Sequence, residues 1–358
     1  MTGNFKNANN AKKLSRRIPV KDKFIGGGGR ILIQSMTNTK TADADATVNQ
    51  IQRLEEAGCD LVRVAVTDEK DALALPRIIN AVKIPVAADI QYDYRLAMLA
   101  AENGAHKLRI NPGNIGDAER VRLICESAAA REIPIRVGIN GGSLEKDIYE
   151  EYGDTAKGLC VSALRSARLL ESFGFYDIVI SVKSSSVKTM IEANRLLYAE
   201  TSYPLHLGVT EAGSVKSGAA KSAIGIGSLL ADGIGDTVRV SLTGDPVNEV
   251  SAARDILRAL NLDKNYAEVV SCPTCGRCRI DLAALVDYVE EMTKNVDKPL
   301  KLAVKGCMVN GPGEAAGADL GIAGGPDKSA IFKRGKVLRT VSNERLFEEF
   351  IGELAKIL

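Results

Sequence analysis

Short runs of Val, Ile and Leu alternate with longer stretches in which apolar residues recur every three or four positions. The short runs predict eight strands, at 30–36, 60–66, 84–90, 107–111, 134–140, 177–183, 204–212 and 237–243. The longer stretches between them predict amphipathic helices. The segment DATVNQIQRLEEAG (45–58) shows the pattern: Asp45 caps the start, Val48, Ile51 and Leu54 form the stripe, and Gly58 ends it. Strand-then-helix alternation requires parallel strands joined by crossover helices. Eight such units in roughly 210 residues match a closed (β/α)8 TIM barrel. An open doubly wound sheet is the rival architecture. Its dinucleotide-binding form is disfavoured, because no GxGxxG follows the first strand.

The pattern changes near residue 262. Residues 281–293 read as a helix with Leu282, Leu285, Val286, Val289 and Met292 on one face. Strands are expected at 301–307 and 317–325, then a hairpin over 330–341 that turns at Arg334-Gly335, and a closing helix over 343–358. The organisation read from the sequence is therefore a polar tail (1–25), a barrel domain (26–262) and a smaller α+β domain (263–358).

Composition narrows the function. The net charge is +2, aromatics are 4% and Trp is absent, so neither nucleic acid nor an acidic membrane surface is indicated. No run of ~18 apolar residues suggests a membrane span, and MTGNFKNANNAKK has no apolar signal core. A cytoplasmic location is the expectation, where seven cysteines stay reduced and their clustering points to metal or catalysis.

In a barrel of this type the chemistry sits at the C-terminal ends of the strands. Those ends are rich in polar residues here: Arg63 and Thr67, Asp89 and Gln91, Arg109 and Asn111, Arg136 and Asn140, Ser181 and Lys183, Thr210 and Glu211, Arg239 and Ser241. Burying four arginines and a lysine is costly unless something negative joins them. Structural ion pairs with Asp89, Glu211 and loop carboxylates are one reading, but there are too few such carboxylates. The other is an anionic ligand, and several converging cations suggest more than one phosphate. The loop TEAGSVKSG adds Gly213, Ser214, Ser217 and Gly218, a weak phosphate-loop signal.

VSCPTCGRC (270–278) places Cys272, Cys275 and Cys278 in a CxxCxxC spacing, and the next cysteine is Cys307 in VKGCMVNGPGEA. One triple with one distant single fits an iron–sulfur cluster better than structural zinc, which uses two separated pairs. Spacing leaves open which three of the four cysteines are ligands. Glu314, seven residues beyond Cys307, is either an oxygen ligand or an ordinary loop carboxylate. Cys59, Cys125 and Cys160 read as small buried hydrophobes.

The motifs SMTNT, LVRVAVTD, ADIQYDYRLA, KLRINPGNIG, IRVGINGGSLE, VTEAG, SCPTCGR and VKGCMVNGPGEA occur in this order along nearly the whole chain. In them the chain resembles the bacterial 4-hydroxy-3-methylbut-2-en-1-yl diphosphate synthases of the methylerythritol phosphate route. The resemblance implies a TIM barrel followed by a sulfite-reductase-like domain with a [4Fe–4S] cluster held by Cys272, Cys275, Cys307 and Glu314. Cys278 is then spare. It implies a cyclic diphosphate substrate met by Arg63, Arg109, Arg136 and Lys183, with Asp89, Asn111, Asn140 and Ser241 beside them, and Glu211 handling protons. Gln91 stands where the family often has histidine, and it cannot titrate. Flavodoxin or ferredoxin would supply the electrons, and a homodimer would form its active site across subunits. The alternative is a non-redox phosphate-binding barrel enzyme, such as an aldolase using Lys183, with a structural metal domain.

Overall fold

The computed structural model describes residues 13–294, 296–309 and 317–358, in two compact units that divide between Leu262 and Asp263. Each unit has its own hydrophobic core.

The first unit is the eight-stranded parallel barrel. A short antiparallel hairpin precedes it, β1 (Ile18–Val20) and β2 (Lys23–Ile25). The barrel strands are β3 (Leu32–Met36), β4 (Leu61–Ala65), β5 (Val86–Asp89), β6 (Lys107–Ile110), β7 (Ile135–Asn140), β8 (Ile178–Lys183), β9 (His206–Leu207) and β10 (Thr237–Val238). Consecutive strands pair in parallel from β3 to β8, and β9 and β10 continue round to β3. The circle closes between β8 and β9 through one parallel bridge, Ile180 to Leu205. Buried Val, Ile and Leu on the outer strand faces pack against the surrounding helices, which is why the strands read as short apolar runs.

Four expectations need correction. Residues 18–25 are not tail: Ile18, Val20 and Ile25 are buried with Leu32, Leu61 and Val179 and stopper the N-terminal end of the barrel. Runs of three residues are too short to announce themselves as strands. The seventh and eighth barrel strands are two residues each, far shorter than 204–212 and 237–243. The chain leaves the ladder at Gly208, where an added Cβ would lie 2.6 Å from Arg239 O and 2.8 Å from Lys183 Nζ. Finally, Asp43 rather than Asp45 caps the helix α1 (Ala44–Glu56), accepting from Ala46 N–H at 3.1 Å. Gly58 follows the end of that helix with φ +91°, a conformation glycine adopts freely.

The second unit is a five-stranded mixed sheet of β11 (Ala267–Ser271), β12 (Leu300–Lys305), β13 (Leu320–Ala323), β14 (Lys328–Lys333) and β15 (Lys336–Ser342), in that order. The first three strands are parallel and the last two antiparallel. The hairpin turns at Arg334 and Gly335, both at positive φ, as expected. Leu282, Leu285 and Val289 of one helix (Leu282–Thr293) and Phe350 and Leu354 of another (Leu346–Ala355) cover the sheet. Strand β11 was not foreseen: its residues are only half-buried, so alternation is faint. Among the described residues no helix is long and apolar enough to cross a membrane.

Candidate active site

Parallel register aligns the polar strand ends. Asp89, Arg109 and Arg136 are consecutive Cα partners across β5, β6 and β7, and Arg63 pairs with Met36 of β3. Side chains two apart on one strand share a face. Lys107 therefore sits one layer below Arg109, and Lys183 one layer above Ser181, inside the barrel.

A small inner cavity of about 120 Å³ is lined by Arg63, Asp89, Arg109, Arg136, Lys183 and Arg239, with Asn140 and Ser241 also on its wall. A wider cavity of about 530 Å³ includes Arg109, Asn111, Asn140, Gln91, Tyr92 and Glu211. The barrel residues expected at the site thus gather around two cavities that share Gln91, Arg109, Asn140 and Thr210. The inner one is cationic, while the outer is lined mainly by neutral polar groups. Asn111 is oriented from both sides, its Nδ2 donating to Ser143 Oγ at 3.1 Å and its Oδ1 accepting from Gly113 N–H at 3.2 Å. Glu211 is exposed at the rim and left-handed, φ +53°, an uncommon conformation that aims its side chain from a tight turn.

Two buried carboxylates share the interior with the cations. Asp89 bridges Arg63 (3.4 Å) and Arg109 (3.1 Å). Glu249, from the helix Val247–Ala259, pairs with Arg239 at 3.1 Å and accepts from Ser35 Oγ at 3.0 Å. The ion-pair reading therefore holds for Arg63 and Arg109 through Asp89, and Arg239 is paired as well, but through a helix carboxylate rather than Glu211 or a loop. Among the described residues no carboxylate lies within ion-pair distance of Arg136 or Lys183, both buried. Below them Lys107 is also wholly buried and donates to Gln34 Oε1 at 3.1 Å. Glu249, Gln34, Lys107 and Met36 were missed from the sequence. Glu249 lies in a helix, and its only mark is a charge on that helix's buried face.

Electrostatics follow this imbalance. Burial works to raise the Asp89 carboxyl, but the charges of Arg63, Arg109 and Arg136 outweigh it and hold it below the ordinary value. Burial, opposed by Asp89, lowers Arg63 to about 10. Burial and the neighbouring charges of Arg239, Arg63 and Arg136 push Lys183 well below the ordinary lysine value, and Arg136 is depressed likewise by burial and by Arg63 and Arg109. An anion entering the cavity favours the protonated forms and raises these values again. Binding of inorganic pyrophosphate is thus expected to take up protons. Affinity is greatest below the lowered Lys183 value and declines as pH rises from there toward the ordinary lysine value. Calorimetric titration in two buffers of different ionisation enthalpy measures the proton count, and net release would contradict the account.

In the second unit, β11 and β12 are parallel neighbours with Ser271 opposite Val304. Cys272 follows one strand directly, and Cys307 comes two residues after the other, so both lie at one end of the sheet. Cys272 Sγ accepts from Gly306 N–H at 3.2 Å. Cys275 is exposed, and the backbone N–H of Arg277 draws its thiol below the ordinary value. Cys278 Sγ donates to Ile280 O at 3.2 Å and, like Cys272, packs against the unit's core; a Cβ added on Gly306 would meet it at 2.6 Å. Three half-buried or exposed thiols, Cys272, Cys275 and Cys307, fit the donor chemistry of an iron–sulfur cluster. Among the described residues no three metal-type side chains converge on one ion position. A cluster holds its ligands farther apart than a single ion does. Glu314 lies outside the described residues. Cys59, Cys125 and Cys160 are buried in the barrel unit, and burial raises all three thiols.

Residues 15–254 match the family model of the GcpE TIM-barrel domain, and residues 268–356 match that of the GcpE protein C-terminal domain. Similar proteins named 4-hydroxy-3-methylbut-2-en-1-yl diphosphate synthase (flavodoxin) occur in Caldanaerobacter subterraneus subsp. tengcongensis (57% identical, covering 97% of this chain and 98% of the relative) and in Ruminiclostridium cellulolyticum (52% identical, covering 96% and 98%). The Clostridium acetobutylicum protein of the same name is 52% identical over 95% of this chain and 98% of its own. Among solved structures, dihydropteroate synthase from Xanthomonas albilineans superposes with a TM-score of 0.52 at 16% identity, covering 69% of this chain and 98% of that one. That likeness speaks to the barrel fold alone.

Proposed function

We propose, from the premise that this chain belongs to the GcpE family, that it is a flavodoxin-dependent oxidoreductase of isoprenoid precursor biosynthesis. It converts 2-C-methyl-D-erythritol 2,4-cyclodiphosphate to (E)-4-hydroxy-3-methylbut-2-enyl diphosphate. The reaction takes in two electrons, one at a time, with protons from solvent. The ring C–O bond to phosphate breaks, and the C3 hydroxyl leaves as water. The observation that carries the reading is a pair of buried cations, Arg136 and Lys183, in a cavity at the barrel mouth and, among the described residues, without carboxylate partners. The alternative, a non-redox barrel enzyme, finds no support among the relatives.

Arg63, Arg109, Arg136 and Lys183 would bind the diphosphate oxygens, and Asp89 would keep the two arginines it bridges aimed inward. Asn111, Asn140 and Ser241 would donate hydrogen bonds at the wall between the cavities. Glu211, at the rim, would deliver or accept the proton at the departing hydroxyl. A [4Fe–4S] cluster, with Cys272, Cys275, Cys307 and Glu314 as ligands, supplies single electrons when bound, and flavodoxin replenishes them. Turnover of the cyclic diphosphate by anaerobically reconstituted protein with a supplied reductant tests the function. No consumption of substrate by cluster-loaded protein would overturn it.

Glu211→Gln is expected to bind the cyclic diphosphate with near-native affinity and to turn over about 10²-fold more slowly, the usual weight of a proton-transfer group. Single-turnover kinetics beside a binding titration separates the two effects, and full activity would remove the role. We also read the protein as a cytoplasmic homodimer in which the second unit of one subunit serves the barrel of its partner. Lys183→Met and Cys307→Ser proteins, inactive alone, should then recover about a quarter of wild-type activity after mixed reassembly, since half the dimers carry one intact site. Absence of recovery in reassembled mixed dimers would place each site within one subunit.

A further inference from the structure

The arginines at the barrel mouth are held in part by acceptors that carry no charge. Two N–H groups of Arg63 point at Met36 Sδ, at 3.1 and 2.9 Å. Arg109 donates to Gly138 O at 3.3 Å. The pattern is sharpest at Gln34 in β3, where one amide oxygen accepts from Lys107 Nζ at 3.1 Å and from Arg136 Nη1 at 3.4 Å. Gln34, Lys107 and Arg136 are each no more than 1% exposed. Among the described residues no carboxylate lies within ion-pair distance of Lys107 or Arg136. The nearest titratable ring, His206, bonds Thr237 Oγ1 at 2.6 Å, and burial keeps it neutral.

The amide's other end is informative. Gln34 Nε2 is buried and has no hydrogen-bond partner. A glutamate of the same shape would lose no hydrogen bond here and would place a negative charge in direct contact with two buried cations that, among the described residues, no carboxylate touches. For the free protein, glutamate is therefore the more stabilising residue at this position. Glutamine fixes the same geometry without neutralising it.

We infer that Gln34 is a positioning residue for the diphosphate: it fixes Arg136 and Lys107 through one uncharged oxygen and so leaves their positive charge for the ligand. This rests on the reading of the barrel mouth as a diphosphate site. Burial first, then the charges around them, holds both cations well below their ordinary values, so an incoming anion relieves a standing penalty.

The test compares Gln34→Glu and Gln34→Leu with the wild-type full-length chain, using inorganic pyrophosphate as the probe and thermal melting without ligand. Gln34→Glu is expected to bind pyrophosphate at least about tenfold more weakly and yet to melt a few degrees higher. Gln34→Leu should melt lower, because two buried cations lose their shared acceptor. In turnover, Gln34→Glu should raise KM far more than it lowers kcat. A purely structural role would move melting and binding in the same direction. Wild-type affinity in Gln34→Glu, or a lower melting point than wild type, overturns the inference. If the wild-type chain itself binds neither pyrophosphate nor the cyclic diphosphate, the diphosphate reading fails, and this inference with it.

Discussion

Cys272→Ser, Cys275→Ser and Cys307→Ser are each expected to lose the broad absorption band near about 400 nm and all turnover, while Cys278→Ser is expected to keep both. This is the largest effect expected of any substitution in the chain. It follows from where the four sulfurs sit. Cys272 and Cys307 come off the same end of two neighbouring parallel strands, and Cys275 stands exposed in the turn between them and the following helix. Serine at any of the three removes a soft thiolate donor that iron requires. Cys278 faces the apolar core of its unit and is already engaged with Ile280 O. Serine there retains that hydrogen bond. Anaerobic purification, iron and sulfide analysis and the visible spectrum distinguish the four proteins. Loss of the band in Cys278→Ser, with retention in any of the other three, would redraw the ligand set.

Arg136→Met and Lys183→Met come next. Each removes a buried cation that has no carboxylate partner among the described residues. Losing such a contact to a bound diphosphate costs about 2–5 kcal/mol, or roughly 30- to 4,000-fold in affinity. The free protein should not suffer. An apolar side chain of similar length removes a desolvated charge, so melting stays level or rises. Asp89→Asn is the contrast. It leaves Arg63 and Arg109 uncompensated and should destabilise the free chain. Measured together, affinity and melting temperature separate cations kept for a ligand from cations kept for the fold. A methionine variant that melts much lower and binds normally would assign Arg136 or Lys183 to the fold.

The barrel was legible because its strands are buried on both faces. Continuous runs such as DIVISVK (177–183) stand out against amphipathic helices, and their spacing alone counts the units. The strand-end arginines were legible for the same reason, as charges where only apolar residues are otherwise tolerated. Their partners were harder to see. Asp89 lies on a strand and was found. Glu249 reaches Arg239 from a helix, and no periodicity announces a side chain that turns inward from the outer ring. Gln34 and Lys107 looked like ordinary polar interruptions at a strand's middle and start. Their meaning depends on what stands across the barrel, which only closure decides. The short strands β9 and β10 were over-read because Val and Thr continue beyond them, while the backbone bends away at Gly208 to admit a lysine head. In the second unit, the CxxCxxC spacing indicated iron–sulfur chemistry but left the ligand choice open, and the feature that sets Cys278 apart is the hydrogen bond its Sγ donates to Ile280 O.

The hairpin of Ile18 to Ile25 bears on traffic. With Ile18, Val20 and Ile25 wedged against Leu32, Leu61 and Val179, the chamber has a floor, and the two cavities of the site lie at the opposite end. A molecule that enters by that end leaves by it. A released product therefore queues against the next incoming molecule at the same threshold, and added product should slow the enzyme as a straightforward competitor for entry.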